Sequence, residues 1–314
     1  MAISLRGVSH TAYIIGLFVN TFILIVMSRF RSKQDYQSYF DTTQNALDLT
    51  LGIVHLMSSF PLVTLPQMSE WNRFYCHLFL SRALIWAIIS ARGYVNLFVA
   101  THFFIKIALP FTRFDLHQRG PFWISVFLIV CASVLGAVPH LFSTSYLPDS
   151  FTCTSNRTDL VSAHNQLGMT FRIGSLLVIV HNYLVPISMA SYFYYHIFLL
   201  LRRSSSKAVT VVKQELLIRF FLDVFAYGMC YTVPYWTVFL GCYWDPSVVI
   251  KRSAQYENVI LMSSLYPSLY SVISLCTRRS YRRPCEELVR QLCRPSERVH
   301  DSSQISSISG LSGH

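Results

Sequence analysis

Apolar residues along this chain gather into seven long stretches, at about 11–28, 46–66, 77–109, 121–142, 173–200, 216–241 and 258–277, separated by polar segments. Each approaches the ~20 residues that carry an α-helix across a bilayer. The pattern predicts an all-α membrane protein with a seven-transmembrane helix bundle over residues 11–277, preceded by a short N-terminal segment, 1–10. Residues 278–294, which contain "RRSYRRPCEELVRQLC", read as a short amphipathic eighth helix lying along the membrane surface. Residues 295–314 are Ser-rich with few apolar side chains and read as a disordered tail.

Composition agrees. The chain is 53% hydrophobic and only 13% charged, where a soluble domain carries roughly 25% charged residues. Pro267 sits inside the last apolar stretch. Such a proline costs roughly 3 kcal/mol in the helix interior of a soluble protein. In a membrane bundle, neighbouring helices and waters can re-satisfy the freed carbonyl.

Charge sets the orientation. Lys and Arg are retained on the cytoplasmic side of short loops, and the loops on the C-terminal side hold roughly three times as many as those on the other side. The N-terminus is therefore expected outside the cell and the C-terminus in the cytoplasm, in a multi-pass protein of the plasma membrane whose first crossing acts as its own uncleaved signal. The net charge of +11 is this inner excess. It favours anionic lipid of the bilayer as partner and calls for no nucleic acid.

The cysteines divide by side. Cys76 opens the third crossing and Cys153 lies in the longest outer loop, both in an oxidising compartment where they can pair. Cys242 is also outside, and Cys131 and Cys230 fall within crossings. Cys276, Cys285 and Cys293 are cytoplasmic; Cys285 and Cys293 in the arginine-rich helix are candidate palmitoylation sites, with plain thiols as the alternative. Asn156-Arg157-Thr158 is a glycosylation acceptor pattern in the same loop as Cys153. Serines in the tail are candidate phosphorylation sites, the alternative being an inert solvated segment.

One anchor per crossing, Asn20, Asp48, Cys76, Trp123, Pro186, Pro234 and Pro267, resembles the rhodopsin-like (class A) G protein-coupled receptors over about residues 10–293. Tyr194, eight residues after Pro186, matches a tyrosine that swings inward on activation. Tyr235 follows Pro234 as in the family's Pro-Tyr pair, and Tyr266-Pro267-Ser268-Leu269-Tyr270 stands where the family has Asn-Pro-x-x-Tyr. The resemblance implies a ligand-stabilised outward movement of the sixth helix that opens an inner pocket for a heterotrimeric G protein. Pro267 would be the hinge and Tyr270 a moving part, with arrestin and a receptor kinase as further partners through the tail.

The chain departs from that pattern at defined places. The Asp-Arg-Tyr of the third helix aligns with Ala100-Thr101-His102 or with His102-Phe103-Phe104, and neither register supplies an arginine. Thr232 replaces the sixth-helix tryptophan. Glu215, Arg219 and Asp223 stand at i,i+4 steps on one face, where opposite charges can pair. They form either a substitute inner-face lock or a local surface salt bridge of little worth. Asp48 near mid-membrane must be paired or hydrated. In the family this position binds sodium with a third-helix serine, here Ser90, while Arg92 is a competing partner.

The ligand side excludes two classes. The seventh crossing has no lysine, Ile260 standing at the Schiff-base position, so no retinal cofactor is expected. Ala83 stands where amine receptors have an aspartate. Arg82, Arg172, Tyr235, Trp236 and Tyr256 at the outer ends suit a neutral, aromatic or anionic small molecule; the alternative is an interfacial belt of aromatics and snorkelling arginines. The short N-terminus and eroded motifs are similar to the nematode serpentine chemosensory receptors, with divergent peptide receptors as an alternative. No His-Glu-x-x-His, Gly-x-Gly-Asp or Gly-x-Ser-x-Gly occurs, so an intramembrane enzyme lacks its motifs and none is expected. The rival readings are a coupling-deficient decoy or trafficking partner, and a transporter or channel.

Overall fold

The computed structural model of the chain describes residues 5–30, 36–59, 69–109, 119–141, 144–147, 152–155, 166–202, 207–243 and 254–293. These are almost entirely helical. Helix α1 spans Leu5–Phe30, α2 Tyr36–Ser59 and a short α3 Ser69–Tyr75, which continues as a π-helical turn, Cys76–Leu80. Helix α4 spans Ala83–Ala108 and α5 Arg119–Leu141. A small antiparallel hairpin follows, β1 Thr144–Leu147 pairing with β2 Thr152–Ser155. Helix α6 runs through Gln166–Ile179, a π-helical turn at Val180–Leu184, and Val185–Arg202. Helix α7 runs through Lys207–Phe220, a π-helical turn at Phe221–Ala226, and Tyr227–Tyr243. Helices α8, Ala254–Thr277, and α9, Arg279–Cys293, complete the order.

Five segments are long and apolar enough to cross a membrane: His10–Arg29, Ala83–Ala108, Trp123–Leu141, Arg172–Arg202 and Val209–Gly241. By that measure this is a multi-pass membrane protein. Helices α2 and α8 have 24 residues each, about 36 Å at 1.5 Å per residue.

Helix α4 is the axis of the bundle. Its most apolar window is 72% buried, against 22–39% for the other four segments, because α4 packs against α2, α5 and α6 at once. Further contacts of α1 with α2 and α8, and of α7 with α6 and α8, close a ring around it. Helices α4 and α5 come close because residue 136 is glycine. A Cβ there would stand 2.9 Å from the Trp86 carbonyl oxygen and closer still to the Ser90 hydroxyl.

The outward faces are apolar. Phe18, Ile25, Trp123, Phe127, Leu177, Tyr195 and Met229 all point away from the bundle, as lipid-facing side chains do and as a soluble surface of this extent does not. Inside, aromatic residues fill the space between α4, α6, α7 and α8, with Trp86, Tyr183, Tyr227, Tyr231, Tyr235, Tyr266 and Tyr270 in one buried cluster.

Three features depart from the sequence reading. Helix α2 begins at Tyr36, ten residues ahead of its apolar stretch, since the polar residues there turn inward. The third crossing is interrupted: Arg82 adopts a left-handed conformation, φ 63°, between the π-helical turn and α4. Around that joint Ser81 N–H donates to the Cys76 carbonyl at 3.0 Å, and the Ser81 hydroxyl accepts the Ala83 N–H at 3.1 Å, starting α4 afresh. The segment between α5 and α6 also contains the hairpin, whose first strand lies against the Cys76–Leu80 turn.

Candidate functional site

Helix α2 opens with "YQSYFDTTQNALD", whose polar residues Asp41, Gln44, Asn45 and Asp48 recur at i, i+3, i+4 and i+7. That spacing puts them on one helix face, and all four are buried. Arg92 and Asn96 on α4 follow the same logic one turn apart, as do Tyr266 and Tyr270 on α8. Among the described residues, the buried Asp and Arg side chains are Asp41, Asp48 and Asp223, and Arg92, Arg219 and Arg278. Three of each sign occupy one connected network between α2, α4, α7 and the α8–α9 joint.

The upper layer centres on Arg92. Its Nε donates to Asp48 Oδ1 at 3.1 Å, and its Nη1 donates to Asn96 Oδ1. The guanidinium carbon lies 4.3 Å from the ring centre of Tyr270 and 5.3 Å from that of Tyr266, so a planar cation is held against two aromatic faces. Asn96 passes the connection on: its Nδ2 donates to the Asp223 carbonyl oxygen at 2.9 Å and, more weakly, to the Tyr266 hydroxyl at 3.4 Å. Gln44 Nε2 donates to Asn96 Oδ1 at 2.9 Å and reaches Asp223 Oδ1 at 3.4 Å. The Tyr194 hydroxyl donates to Asp223 Oδ2 at 3.2 Å.

The lower layer centres on Asp41. Arg278, at the joint between α8 and α9, donates from Nη2 to Asp41 Oδ1 at 2.6 Å. Arg219 of α7 donates to the two carboxylate oxygens at 3.3 and 3.4 Å, and its Nη2 lies 3.7 Å from Glu215 Oε1. The Arg219 guanidinium also covers the Phe103 ring at 4.7 Å. Tyr270 joins the layers, donating to Gln44 Oε1 at 2.5 Å and accepting from Arg278 Nη1 at 2.9 Å. Every charge in the network therefore has an opposite charge or a dipole at hydrogen-bond range, which a buried charge requires.

Several expected residues thus meet: Tyr194, Tyr270, Asp48, Arg219 and Asp223 all belong to the network. Asn20 ties α1 to α8 beside it, accepting from Ser271 Oγ at 2.7 Å, and the same hydroxyl lies 2.7 Å from the Pro267 carbonyl. Pro234 and Pro267 are buried in helices that continue through them.

Other expected residues make different contacts. Asp48 is not joined by Ser90, whose hydroxyl bonds the Trp86 carbonyl at 2.8 Å and faces Gly136 of α5; Arg92 takes the carboxylate. The stripe Glu215, Arg219, Asp223 does not close on itself as a surface ladder. Arg219 is buried and turns across to Asp41, while Asp223, within the π-helical turn that locally widens α7, faces Gln44 and Tyr194. Thr101 bonds its own helix, to the Leu97 carbonyl at 2.8 Å, and His102 packs against Phe40 and Phe103.

At the opposite end of the bundle from Asp41, Tyr235 is buried between Trp86 and Tyr183, with ring centres 5.0 and 4.8 Å away. Trp236 points the other way: it is 49% exposed and packs on Phe239, so it belongs to the lipid-facing side and not to a shared pocket. Arg82 sits at the α4 joint, and the Arg172 carbonyl accepts the Tyr243 hydroxyl at 2.6 Å, fastening α6 to α7. The side chains of Tyr256 and Cys153 lie outside the described residues, as does all of Asn156. Cys76 is disulfide-bonded and fully buried.

Helix α9 is fastened by Tyr281, buried against Ile23 and Met27, whose hydroxyl accepts from Asn45 Nδ2 at 2.7 Å. Cys285 is half-buried and Cys293 exposed, both as free thiols. Burial, with Glu286 beside it, raises the Cys285 thiol above its ordinary pKa.

In α2 the signal for this network is polar residues at helical spacing, which apolar length does not register, and Asp41 belongs to it. Arg278 stands in a run of arginines, and nothing in its spacing marks it as the one that turns inward. No family model matches the chain, and no curated protein matches it.

Proposed function

We propose that this chain is a divergent rhodopsin-like receptor, in which seven helices carry an extracellular signal to a heterotrimeric G protein at the inner face. The observation that carries this reading is that Tyr194 and Tyr270, the tyrosines whose counterparts move on activation in the receptors the sequence resembles, both end in one buried network. That network joins α2, α4, α6, α7 and the α8–α9 joint, so a shift of α7 against α2 must break or exchange its bonds. Ion pairs and hydrogen bonds with discrete alternatives make a two-state element, and a ligand need only favour one of its states.

On this reading Asp41 takes over what the missing arginine of α4 does elsewhere. It holds Arg219 of α7 and Arg278 of α8–α9 to α2, and its release frees the inner end of α7. Helices α2 and α8 complete the seven crossings, α9 is the eighth helix along the inner membrane surface, and the N-terminus is extracellular in the plasma membrane. Cys153 is the partner of Cys76, Asn156 carries glycan, Cys285 and Cys293 carry acyl chains, and the Ser-rich tail serves arrestin and a receptor kinase. The ligand is a small molecule other than an amine, consistent with a chemosensory role, and the protein has no catalytic activity and no retinal.

A coupling-deficient decoy or trafficking partner is the second reading, favoured by Thr101 and His102 standing outside the network. G protein dissociation in cells expressing wild type, Asp41→Asn and Thr101→Arg at matched surface levels separates the two. Basal activity of wild type above mock-transfected cells, raised further by Asp41→Asn, is the expected result. Silence of all three variants would leave the decoy reading in its place.

A further inference from the structure

In the receptors that the sequence resembles, the position of Asp48 holds a sodium ion together with a serine of the third helix. The residues here do not fit that ion. Ser90 is turned to the Trp86 carbonyl and to α5, and Tyr266, in the position of the usual asparagine, presents its ring to Arg92. The place beside Asp48 is taken by a side chain of the chain itself.

We propose that Arg92 is a built-in cation that replaces sodium at Asp48, so that the native protein does not respond to sodium, and that removing the guanidinium alone uncovers a monovalent-cation site. The geometry has the features of a cation's seat. Arg92 and Asp48 are both fully buried, with Nε and Oδ1 3.1 Å apart. Asn96 Oδ1 receives a second donor of the same guanidinium, and the ring of Tyr270 lies 4.3 Å from its carbon.

Two further observations bear on what would remain without the guanidinium. Asp48 Oδ2 is buried and has no hydrogen-bond partner among the described residues, so the carboxylate keeps a free oxygen after Arg92 has taken the other. The Asn96 side-chain oxygen Oδ1 is already turned toward the cation, held there by donors on Gln44 and Arg92. A carboxylate and an amide oxygen suit a hard cation. A buried carboxylate without a counter-charge is costly inside a membrane, and removing one partner of a buried pair is strongly destabilising. The carboxylate left by Arg92 must then take up a cation or a proton; on this proposal sodium competes with the proton there, and a protonated Asp48 would show itself as indifference to sodium.

Arg92 does more than supply charge. It lies against Tyr270 and connects through Asn96 to Asp223, so it holds the upper layer of the network together where a diffusible ion would come and go. The set point of the network is then fixed by sequence and independent of the salt outside the cell. That Arg92 stands in for sodium rests on the receptor reading, while the test reads folding stability and not coupling, so the two can fail separately.

The experiment is thermal unfolding of the full chain in lipid nanodiscs, comparing sodium chloride with choline chloride at about 0.15 M, the physiological ionic strength. Wild type is expected to melt at the same temperature in both salts. Arg92→Gln is expected to melt lower in choline and to recover by a few degrees, saturably, in sodium. That recovery should be lost in the Asp48→Asn/Arg92→Gln double variant. A saturable, sodium-specific rise in wild type would overturn the proposal, as would an Arg92→Gln protein that melts alike in both salts. Should Arg92→Gln fail to fold, the wild-type titration and Arg92→Lys still decide. An ammonium keeps the site filled, so a sodium response in Arg92→Lys would also count against it.

Discussion

Arg278 Nη2 meets Asp41 Oδ1 at 2.6 Å with both side chains fully buried, so the joint between α8 and α9 is fastened to the first turns of α2. The same carboxylate receives Arg219 from α7, and one acidic side chain thereby holds α2, α7 and the α8–α9 joint together. Asp41→Asn keeps the shape and removes the charge, leaving two buried guanidinium groups facing a neutral amide. Losing one partner of a buried ion pair costs about 3–5 kcal/mol. The expected result is a clearly lower melting temperature for the full chain in nanodiscs; an unchanged melting temperature would mean that the pair contributes nothing to the fold.

Tyr270 carries the connection between the two layers through a single hydroxyl, which gives to Gln44 and takes from Arg278. Tyr270→Phe keeps the ring over Arg92 and removes both bonds, leaving buried polar groups short of a partner, at about 1–3 kcal/mol. Gln44→Ala should cost a similar amount. Because the two side chains share one bond, their effects should fall short of additive in a double-mutant cycle, whereas independent sites add. Strict additivity would remove Tyr270 from the network.

Gly136 gives a test of packing alone. A methyl group there meets the Trp86 carbonyl at 2.9 Å, while at Gly174 of α6 it meets nothing within 4 Å. Gly136→Ala forces α4 and α5 apart and should destabilise by about 1–3 kcal/mol, as overpacking does. Gly174→Ala should be neutral or slightly stabilising, since it removes only backbone freedom from the unfolded chain. Equal melting temperatures for the two variants would contradict the close approach of α4 and α5.

The apolar stretches were legible in the sequence because hydrophobic length alone marks a crossing, and five of them recur as helices long and apolar enough to span. Helix α2 was legible only in its second half. Its first half is polar on the face that turns inward, and mean hydropathy cannot tell inward polarity from a loop. The ion pairs were harder still. Asp48 with Arg92 could be foreseen as neighbours in depth, but Asp41, Arg219 and Arg278 lie far apart in the chain and come together only when α2, α7 and the α8–α9 joint pack. Adjacent aromatics misled in another way: Tyr235 and Trp236 look alike in sequence, yet successive positions on a helix diverge by about 100°. One enters the core and the other faces out.

Tyr281 is the side chain that seats α9. Its ring is buried against Ile23 and Met27 and its hydroxyl takes the Asn45 amide, while the far side of the helix is open, with the Arg282–Glu286 pair at 2.9 Å on an exposed face. Tyr281→Ala should therefore free α9 from α1 and α2 without disturbing its own helical pairs. Cys285 reports this directly. Partial burial, with Glu286 beside it, holds its thiol above the ordinary pKa, so at neutral pH less of it is thiolate, the reactive form. Release of the helix removes the burial, lowers the pKa and exposes the sulfur, and each change speeds alkylation. Mass spectrometry after a timed maleimide pulse on protein first deacylated with neutral hydroxylamine should find Cys285 labelled several-fold faster in Tyr281→Ala than in wild type, with Cys293, already exposed, unchanged. Tyr281→Phe keeps the ring in place and should stay near the wild-type rate. If Cys285 labels at one rate in all three proteins, some contact other than Tyr281 seats the helix.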